Sequence, residues 1–370
     1  LNSNSITDSI ENQIQQIDDF LSLEKSMSFT SLEYLIENNI EDSQIQIPRL
    51  LLKNLVENAI KYTPVGGKID VSVIVCCYNS ENRIVPTLKH LSKQILDSLS
   101  CEIILVDNNC SDRTIEIAKK TWDSIGKPYE MKVIEEKQPG LSFARKVGVF
   151  AAQGEILVFC DDDNWLSEYF IMQGFEIMNS NHEIGVLGGR GIPVFEVEEP
   201  DWFSTFQGCY AVGFQAICSG DITSRGYVWG AGCFIRRQTL LQLYESGFES
   251  FCSGRKEGLL LSGDDSEICK WHILIGKKLW YDESLVFKHF IEKHRLQKDY
   301  LSRLIEGFNL STEYLTLYDE VIFYENSSRI SKLKIQTRRL IGLLFDYRKY
   351  SLKYLKLLQI NKFKMNYFKY

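Results

Sequence analysis

The sequence predicts an α/β protein whose central sheet is covered by helices on both faces, with helical extensions at either end. Three observations carry that prediction. Between Asp70 and Asp163, the apolar runs VSVIVCCYN, EIILVDNN, MKVIEE and EILVFCDDD alternate with helical stretches. Strands that are apolar at nearly every position are buried on both sides, which is the mark of a parallel sheet under two helical layers. The 370 residues are 44% hydrophobic and 25% charged, which suits a globular chain of two or so domains. No run approaches the roughly 18 uncharged apolar residues of a membrane span.

The first 69 residues stand apart. IENQIQQIDDFLSLEKS reads as a helix, and NLVENAIKYTPVGGKIDVSV resembles the N-box helix of a histidine kinase ATPase domain. That resemblance implies Glu57, Asn58 and Lys61 facing Mg-ATP. A kinase also needs a DxGxG loop and a glycine-rich lid, and neither follows; no histidine precedes His90 to accept a phosphate. Residues 1–69 are therefore expected to be a truncated remnant, a helical arm or a dimerisation element. The chain opens on Leu1 and lacks the basic-then-apolar order of a signal peptide, so an upstream portion and a cytoplasmic setting are expected.

In the α/β part, ligands of such a sheet sit at the carboxyl ends of the strands. Those ends read CCYN, VDNN and CDDD, which lines up Asn79, Asp107 and Asp161 to Asp163 along one edge. Three adjacent carboxylates repel one another and resist burial, so a positive partner is expected there. A single polar end is more often a turn. Three on consecutive strands make a site.

VSVIVCCYNSENRI, VDNNCSDRT, QPGLSFARKVG and the strand ending in Asp161-Asp162-Asp163 resemble the family 2 glycosyltransferases of GT-A fold. GYVWGAGCFIRRQTL and SGDDSEICKWHILIGKKLWYDESLVFKHF extend the resemblance to about Phe308. It implies a GT-A mixed sheet over 70–308, with a nucleotide-sugar half (70–165) and an acceptor half (166–308), and a helical tail over 309–370. It also implies inverting, metal-dependent transfer of a sugar from a nucleotide-diphosphate donor to a hydroxyl of a polysaccharide or lipid-linked glycan.

By that resemblance Asp161 faces the donor nucleotide and Asp163 holds Mg or Mn, whose oxygen ligands reconcile carboxylate with diphosphate. Asp162 is expected to be a solvated turn residue. Asp107 is similar to the aspartate that accepts the uracil N3–H; a carboxylate only accepts, so uracil, thymine or guanine suits it and cytosine does not. UDP leads. Asn79 meets the base, Asn108 and Asn109 shape the turn, and Arg145, where Lys146 replaces the usual Asn, reaches the nucleotide side. Gly230 and Gly232 let backbone approach the acceptor, although a bend would select the same residues. Asp265 is expected to be the general base, with Asp264 in the variable position beside it on the acceptor side. His289 is a candidate to complete the metal shell, against the commoner role of a structural histidine. Trp202 and Phe203 form either a wall for a sugar or ordinary packing. The alternatives are a fragment of a sensor histidine kinase, which the missing loop opposes, and a sugar nucleotidyltransferase, whose glycine-rich basic loop this chain lacks.

Charge sets the tail apart. From Ser328 to Tyr370 twelve basic residues face one acid, Asp346, a net +11, so the remainder carries −18 of the total −7. On a helical wheel Leu333, Leu340, Leu344, Tyr347, Leu355 and Leu358 share one side and Arg338, Lys349, Lys353 and Lys356 the other. That pattern suits the anionic inner face of a cytoplasmic membrane, with packing onto the protein as the competing reading. An anionic body disfavours nucleic acid as a partner. The ten cysteines contain no CxxC pair and are expected to be reduced.

Overall fold

The computed structural model describes residues 7–27, 46–48, 52, 69–252, 263–345 and 347–368. The chain divides into two units, Leu1–Ile69 and Asp70–Tyr370. In the first, β1 (Thr7–Ser9) pairs antiparallel with β2 (Gln46–Pro48), and a helix spans Ile10–Met27. Glu57, Asn58 and Lys61, the kinase-like positions, lie outside the described residues.

The second unit is built on a sheet of nine strands among the described residues. Four parallel neighbours, β3 (Val71–Cys77), β4 (Cys101–Asp107), β5 (Glu130–Glu135) and β6 (Ile156–Asp161), form one half. The remaining strands are β7 (Asn164–Leu166), β8 (Ile184–Phe195), β9 (Gly220–Asp221), β10 (Cys233–Arg236) and β11 (Lys278–Ile291). The order is β5-β4-β3-β6-β10-β8-β11-β7, with β9 also on β11; β10 runs antiparallel to both β6 and β8. This is the mixed sheet expected from the sequence. Successive residues of the parallel strands go to different cores: Ile74, Ile104 and Leu157 enter one apolar cluster, Val73, Ile103 and Val158 another. Helices therefore cover both faces, as the unbroken apolar runs require.

Chain order places the site. β3, β4 and β5 step outward, and β6 returns on the other side of β3. The crevice at that reversal lies outside the carboxyl ends of β3 and β6. In register Asp161 is level with Cys76, and Cys77 is level with Asp107. The three polar strand ends thus share one edge.

The expected border at 308 and 309 falls inside one helix, Lys298–Glu325. Two more helices follow, Arg329–Phe345 and Tyr347–Tyr367. The last one buries Leu357, Ile360 and Phe363, a stripe repeating every three residues. Phe363 meets Phe248 edge-on at 6.2 Å, and Tyr367 lies 6.5 Å from Trp271. The helical wheel did not show this stripe. Leu355 and Leu358 are exposed, Lys353 pairs with Glu320, and the Lys356 ammonium sits 4.1 Å over the Tyr314 ring. A second apolar stripe on the same helix wins the protein's core because it is the one that meets Phe248 and Trp271. Leu333 and Arg338 are exposed, and the side chains of Leu340, Leu344, Tyr347 and Lys349 lie outside the described residues. Among the described residues no helix is long and apolar enough to cross a membrane. The ten cysteines are free thiols.

The packed stripe and the exposed one make opposite predictions. Ile360→Ala, at a fully buried position, is expected to lower the unfolding free energy by about 2–5 kcal/mol. Leu358→Ala is expected to change it by under about 0.5 kcal/mol. Urea denaturation of the two variants reads the difference, and equal losses would remove the helix from the core.

Candidate active site

Each of the three consecutive aspartates has its own arginine. β6 ends at Asp161, and the turn to β7 is closed by Asn164, whose Oδ1 accepts from the Asp161 N–H at 3.2 Å and whose Nδ2 donates to Asp163 Oδ1 at 3.1 Å. The turn fans the carboxylates in three directions.

Asp161 faces Arg145, Nη2 to Oδ1 at 3.6 Å. Burial, opposed by Arg145 and reinforced by Asp163, pushes its carboxyl up to about 6. Asp162 is buried, not a solvated turn residue as expected. Arg83 grips it with Nε at 2.9 Å and Nη2 at 3.1 Å, and the Ser80 hydroxyl donates to it. This forked pair ties the turn to the loop after β3, and the Thr87 hydroxyl adds a bond to the Asp162 carbonyl at 2.8 Å. Asp163 takes Arg295, Nη1 to Oδ2 at 2.7 Å, with His289 Nε2 at 3.4 Å. Burial works to raise its carboxyl, but His289 and Arg295 outweigh burial and hold it well below the usual range.

Arg145, on the helix Leu141–Ala151, is only 3% exposed. Besides Asp161 it binds Asp264, Nη1 to Oδ2 at 2.9 Å, and it lies 4.9 Å from the centre of the Phe159 ring. Burial works against its charge; Asp264, Asp161 and Asp265 overcome that and strengthen its hold on the proton. One guanidinium thus joins the end of β6 to the start of the helix Asp264–Leu274.

On that helix Asp265 accepts from the Gly230 N–H at 2.8 Å and from the Ser266 N–H at 2.7 Å. Burial, with Asp264 beside it, raises its carboxyl. Gly230 has no room for a side chain: a Cβ would meet Arg145 Nη2 at 2.8 Å and Asp265 Cβ at 3.0 Å. Its role is to let Arg145 and Asp265 close on the same backbone. Gly232 is different. Its φ is 64°, and a Cβ there would press on Phe287 and Phe170 at 3.0 and 3.1 Å. It therefore turns the chain over the core, and of the two glycines Gly230 is the one beside the acids.

At the outer strand ends, Asp107 Oδ1 accepts from the Cys110 N–H at 2.9 Å. Asn79, left-handed at φ 50°, spends its Oδ1 on the Ser111 N–H at 2.8 Å. Both side chains shape the turn after β4, and each keeps one polar atom, Asp107 Oδ2 and Asn79 Nδ2, beyond those contacts. Asn108 is a strut, bonding the carbonyls of Glu136 and Gln138 and the Gly140 N–H. Trp202 and Phe203 pack with Phe206 and Tyr210 in an apolar cluster and not as an open wall.

The donor set at Asp163 does not fit a divalent ion. His289 comes to Asp163, as a pair of ligands would, but the guanidinium of Arg295 already fills the cation position on that carboxylate. Among the described residues no group of three or more histidine, cysteine or acidic side chains is disposed around one point. Arg83 and Arg295 escaped the sequence reading because their partners lie 79 and 132 residues away. The only local signal for Arg295 was a cation six residues past His289.

A cavity of about 280 Å³ opens beside Arg145 and Asp264, lined also by Ser142, Lys146, Tyr244 and Glu249.

Residues 72–244 match the model of the family described as glycosyl transferase family 2. Staphylococcus aureus TarS (strain Mu50), a poly(ribitol-phosphate) beta-N-acetylglucosaminyltransferase, is 28% identical over 128 residues, 33% of this chain and 22% of that protein. The putative glycosyltransferase EpsH of Bacillus subtilis (strain 168) is 33% identical over 103 residues, 28% of each chain. The crystal structure of S. aureus TarS 1-349 in complex with UDP-GlcNAc is similar at 20% identity and a TM-score of 0.46, covering 61% of this chain and 59% of that one. The chain spans about a quarter of the length of the curated relatives it matches. The matched segment begins at 72, past the kinase-like positions Glu57, Asn58 and Lys61.

Asp161 carries a pH signature. Its folded value lies above 3.8, the ordinary one, so between about pH 4 and 6 the folded state keeps a proton that the unfolded state releases, and stability from this group falls as pH rises. Asp163 acts the other way, losing its contribution as pH falls below 3.8. Asp161→Asn is therefore expected to gain stability relative to the unsubstituted chain from pH 4 to pH 7. Urea midpoints across that range test it, and a difference independent of pH would show that Asp161 ionises freely.

Proposed function

We propose that this chain is a glycosyltransferase that moves a sugar, with inversion, from a nucleotide-diphosphate donor, UDP first, to a hydroxyl of a polysaccharide or lipid-linked glycan. One observation carries the reading: Arg145 brings the donor-side acid Asp161 and Asp264, the neighbour of Asp265, onto a single guanidinium. The match of 72–244 to the family 2 model supports it.

The donor lies along the strand ends. Asp107 and Asp161 end strands two places apart, with β3 between them, a span of about 10 Å at the ordinary strand spacing and of the order of a nucleoside's length. Asp107 Oδ2 accepts the N3–H of the base and Asp161 meets the ribose. On the other side Asp265 takes the acceptor's hydroxyl proton. Its two N–H bonds fix the carboxylate, and burial raises its basicity toward working pH. The freed oxygen bonds to the anomeric carbon from the face opposite the diphosphate, whose bond to that carbon breaks with the electron pair leaving on phosphate oxygen. Back-side attack inverts the centre. A divalent ion has no part in this reading, since Asp163 is held by Arg295.

Asp265→Asn keeps the size and the Gly230 contact but removes the base. It is expected to lower kcat by roughly two to four orders of magnitude, with UDP binding by calorimetry unchanged. Loss of UDP binding would move Asp265 to the donor site. A panel of nucleotide sugars, followed by donor hydrolysis, tests the reading as a whole, and no turnover of any would reject it.

The tail reading is narrower than the wheel implied. We infer a peripheral contact with an anionic membrane through Ile330, Leu333, Leu355 and Leu358, which are exposed, as are Arg338 and Lys362 of the same two helices, while Leu357, Ile360 and Phe363 stay in the core. Leu355→Glu with Leu358→Glu is expected to abolish flotation with liposomes of anionic lipid, and salt to weaken it, because each cation contributes on the order of 1 kcal/mol within a Debye length of about 10 Å. Equal flotation of both proteins, or none by either, would leave the helix simply packed on the domain.

A further inference from the structure

Arg295 is the residue at the strand ends for which the sequence offered no role. It stands in the short turn Lys293–Leu296 directly after β11, its own N–H bonded to the Glu292 carbonyl at 2.9 Å. Nη1 reaches Asp163 at 2.7 Å and His289 at 3.4 Å, and the guanidinium carbon lies 5.9 Å and 5.8 Å from the centres of the Tyr210 and Tyr300 rings. Nε is buried without a hydrogen-bond partner among the described residues, and so is His289 Nδ1. The side chain is 20% exposed. A cation is thus wedged between a carboxylate and two aromatic faces, with donor capacity left over and one side reaching solvent at the strand ends.

We propose that Arg295 is the electrophile for the donor's diphosphate, holding the position on Asp163 that a divalent ion would take, so that donor binding and departure of the nucleotide do not depend on a metal. The inference rests on the donor reading above.

The charges decide the matter. A divalent ion on Asp163 would sit about 2.1 Å from an oxygen that already has a guanidinium at 2.7 Å, and two such cations repel strongly at that range. Entry of the ion requires Arg295 to leave a nearly buried acid and two aromatic rings. Arginine keeps its charge at every working pH and presents a planar fork that fits phosphate oxygens. When the bond to the anomeric carbon breaks, the extra negative charge appears on phosphate oxygen. A positive group fixed in advance by Asp163, Tyr210 and Tyr300 stabilises it without rearrangement.

Two measurements test this on the full chain. The first is calorimetric titration of UDP in excess chelator and in Mn2+. Wild type is expected to bind within about threefold in the two buffers; Arg295→Met is expected to lose at least tenfold in chelator, and Arg295→Lys to recover part of it. The second uses Mn2+ alone, followed by electron paramagnetic resonance. Arg295→Met vacates Asp163 and His289, so this variant is expected to bind Mn2+ at least tenfold more tightly than wild type, a gain that a misfolded protein would not show, and the gain should vanish when Asp163→Asn is added. Wild type that binds UDP only with Mn2+, or that binds Mn2+ through Asp163 as tightly as the Met variant, overturns the inference and leaves the donor reading standing. Absence of UDP binding in either buffer overturns the donor reading and the inference with it.

Discussion

Three neighbouring carboxylates at the end of one buried strand are the constraint on which the site is built. Left to themselves they would repel and take up protons, because the apolar ends of β3 and β6 give them little water. The fold answers with three guanidiniums drawn from three regions: Arg145 from a helix over the sheet, Arg83 from the loop after β3, and Arg295 from the turn after β11. Each pair fastens the turn at Asp161 to Asp163 to a different part of the molecule. The electrostatic need of one tripeptide therefore organises pieces of chain that are distant in sequence, and removing one arginine would leave a buried charge unpaired, which costs about 3–5 kcal/mol.

Among these pairs Arg145 is the one that ties the end of β6 to Asp264 on the helix Asp264–Leu274. A buried guanidinium with a single partner would recover little of its desolvation. With Asp161 and Asp264 both in contact and Asp265 nearby, it gains enough to stay charged. Gly230 is the steric corollary, because any side chain there would strike that guanidinium. The strand ends and the helix Asp264–Leu274 are consequently held at one spacing before any ligand arrives, which is what transfer between two bound molecules requires.

Much of this was legible in the residues. Period and apolarity located β3, β4 and β6 closely, because a strand buried on both faces tolerates almost no polar residue, and the strand-end polar groups followed from them; β5, a half-exposed edge strand, showed only a short apolar centre. What could not be read was pairing over long sequence distances. Asp162 looked like a turn residue because turns are rich in aspartate; only folding brings Arg83 to it. Asp163 invited a metal for the same reason, its cation being hidden 132 residues away. Gly230 and Gly232 were indistinguishable as letters, and one faces the acids while the other faces Phe287. The tail was legible in part: the last helix carries two apolar stripes, and periodicity alone does not say which one meets protein.

That last helix bears on the chemistry through packing. The helix Asp264–Leu274 begins with the two site acids, and its following turns are buried on several sides. Glu267, fully buried, accepts from the Ser250 and Tyr318 hydroxyls and from the Phe251 and Cys252 N–H groups. Trp271 meets Phe248 edge-on at 6.1 Å and lies near Tyr367 of the last helix. Lys270 pairs with Asp319 at 2.6 Å. A helix clamped by a buried carboxylate, a tryptophan and an ion pair has little freedom to roll, so the carboxylates in its first turn inherit that rigidity. The C-terminal helices thus complete the core behind the acid pair, and the position of Asp265 depends on residues some hundred places further along the chain.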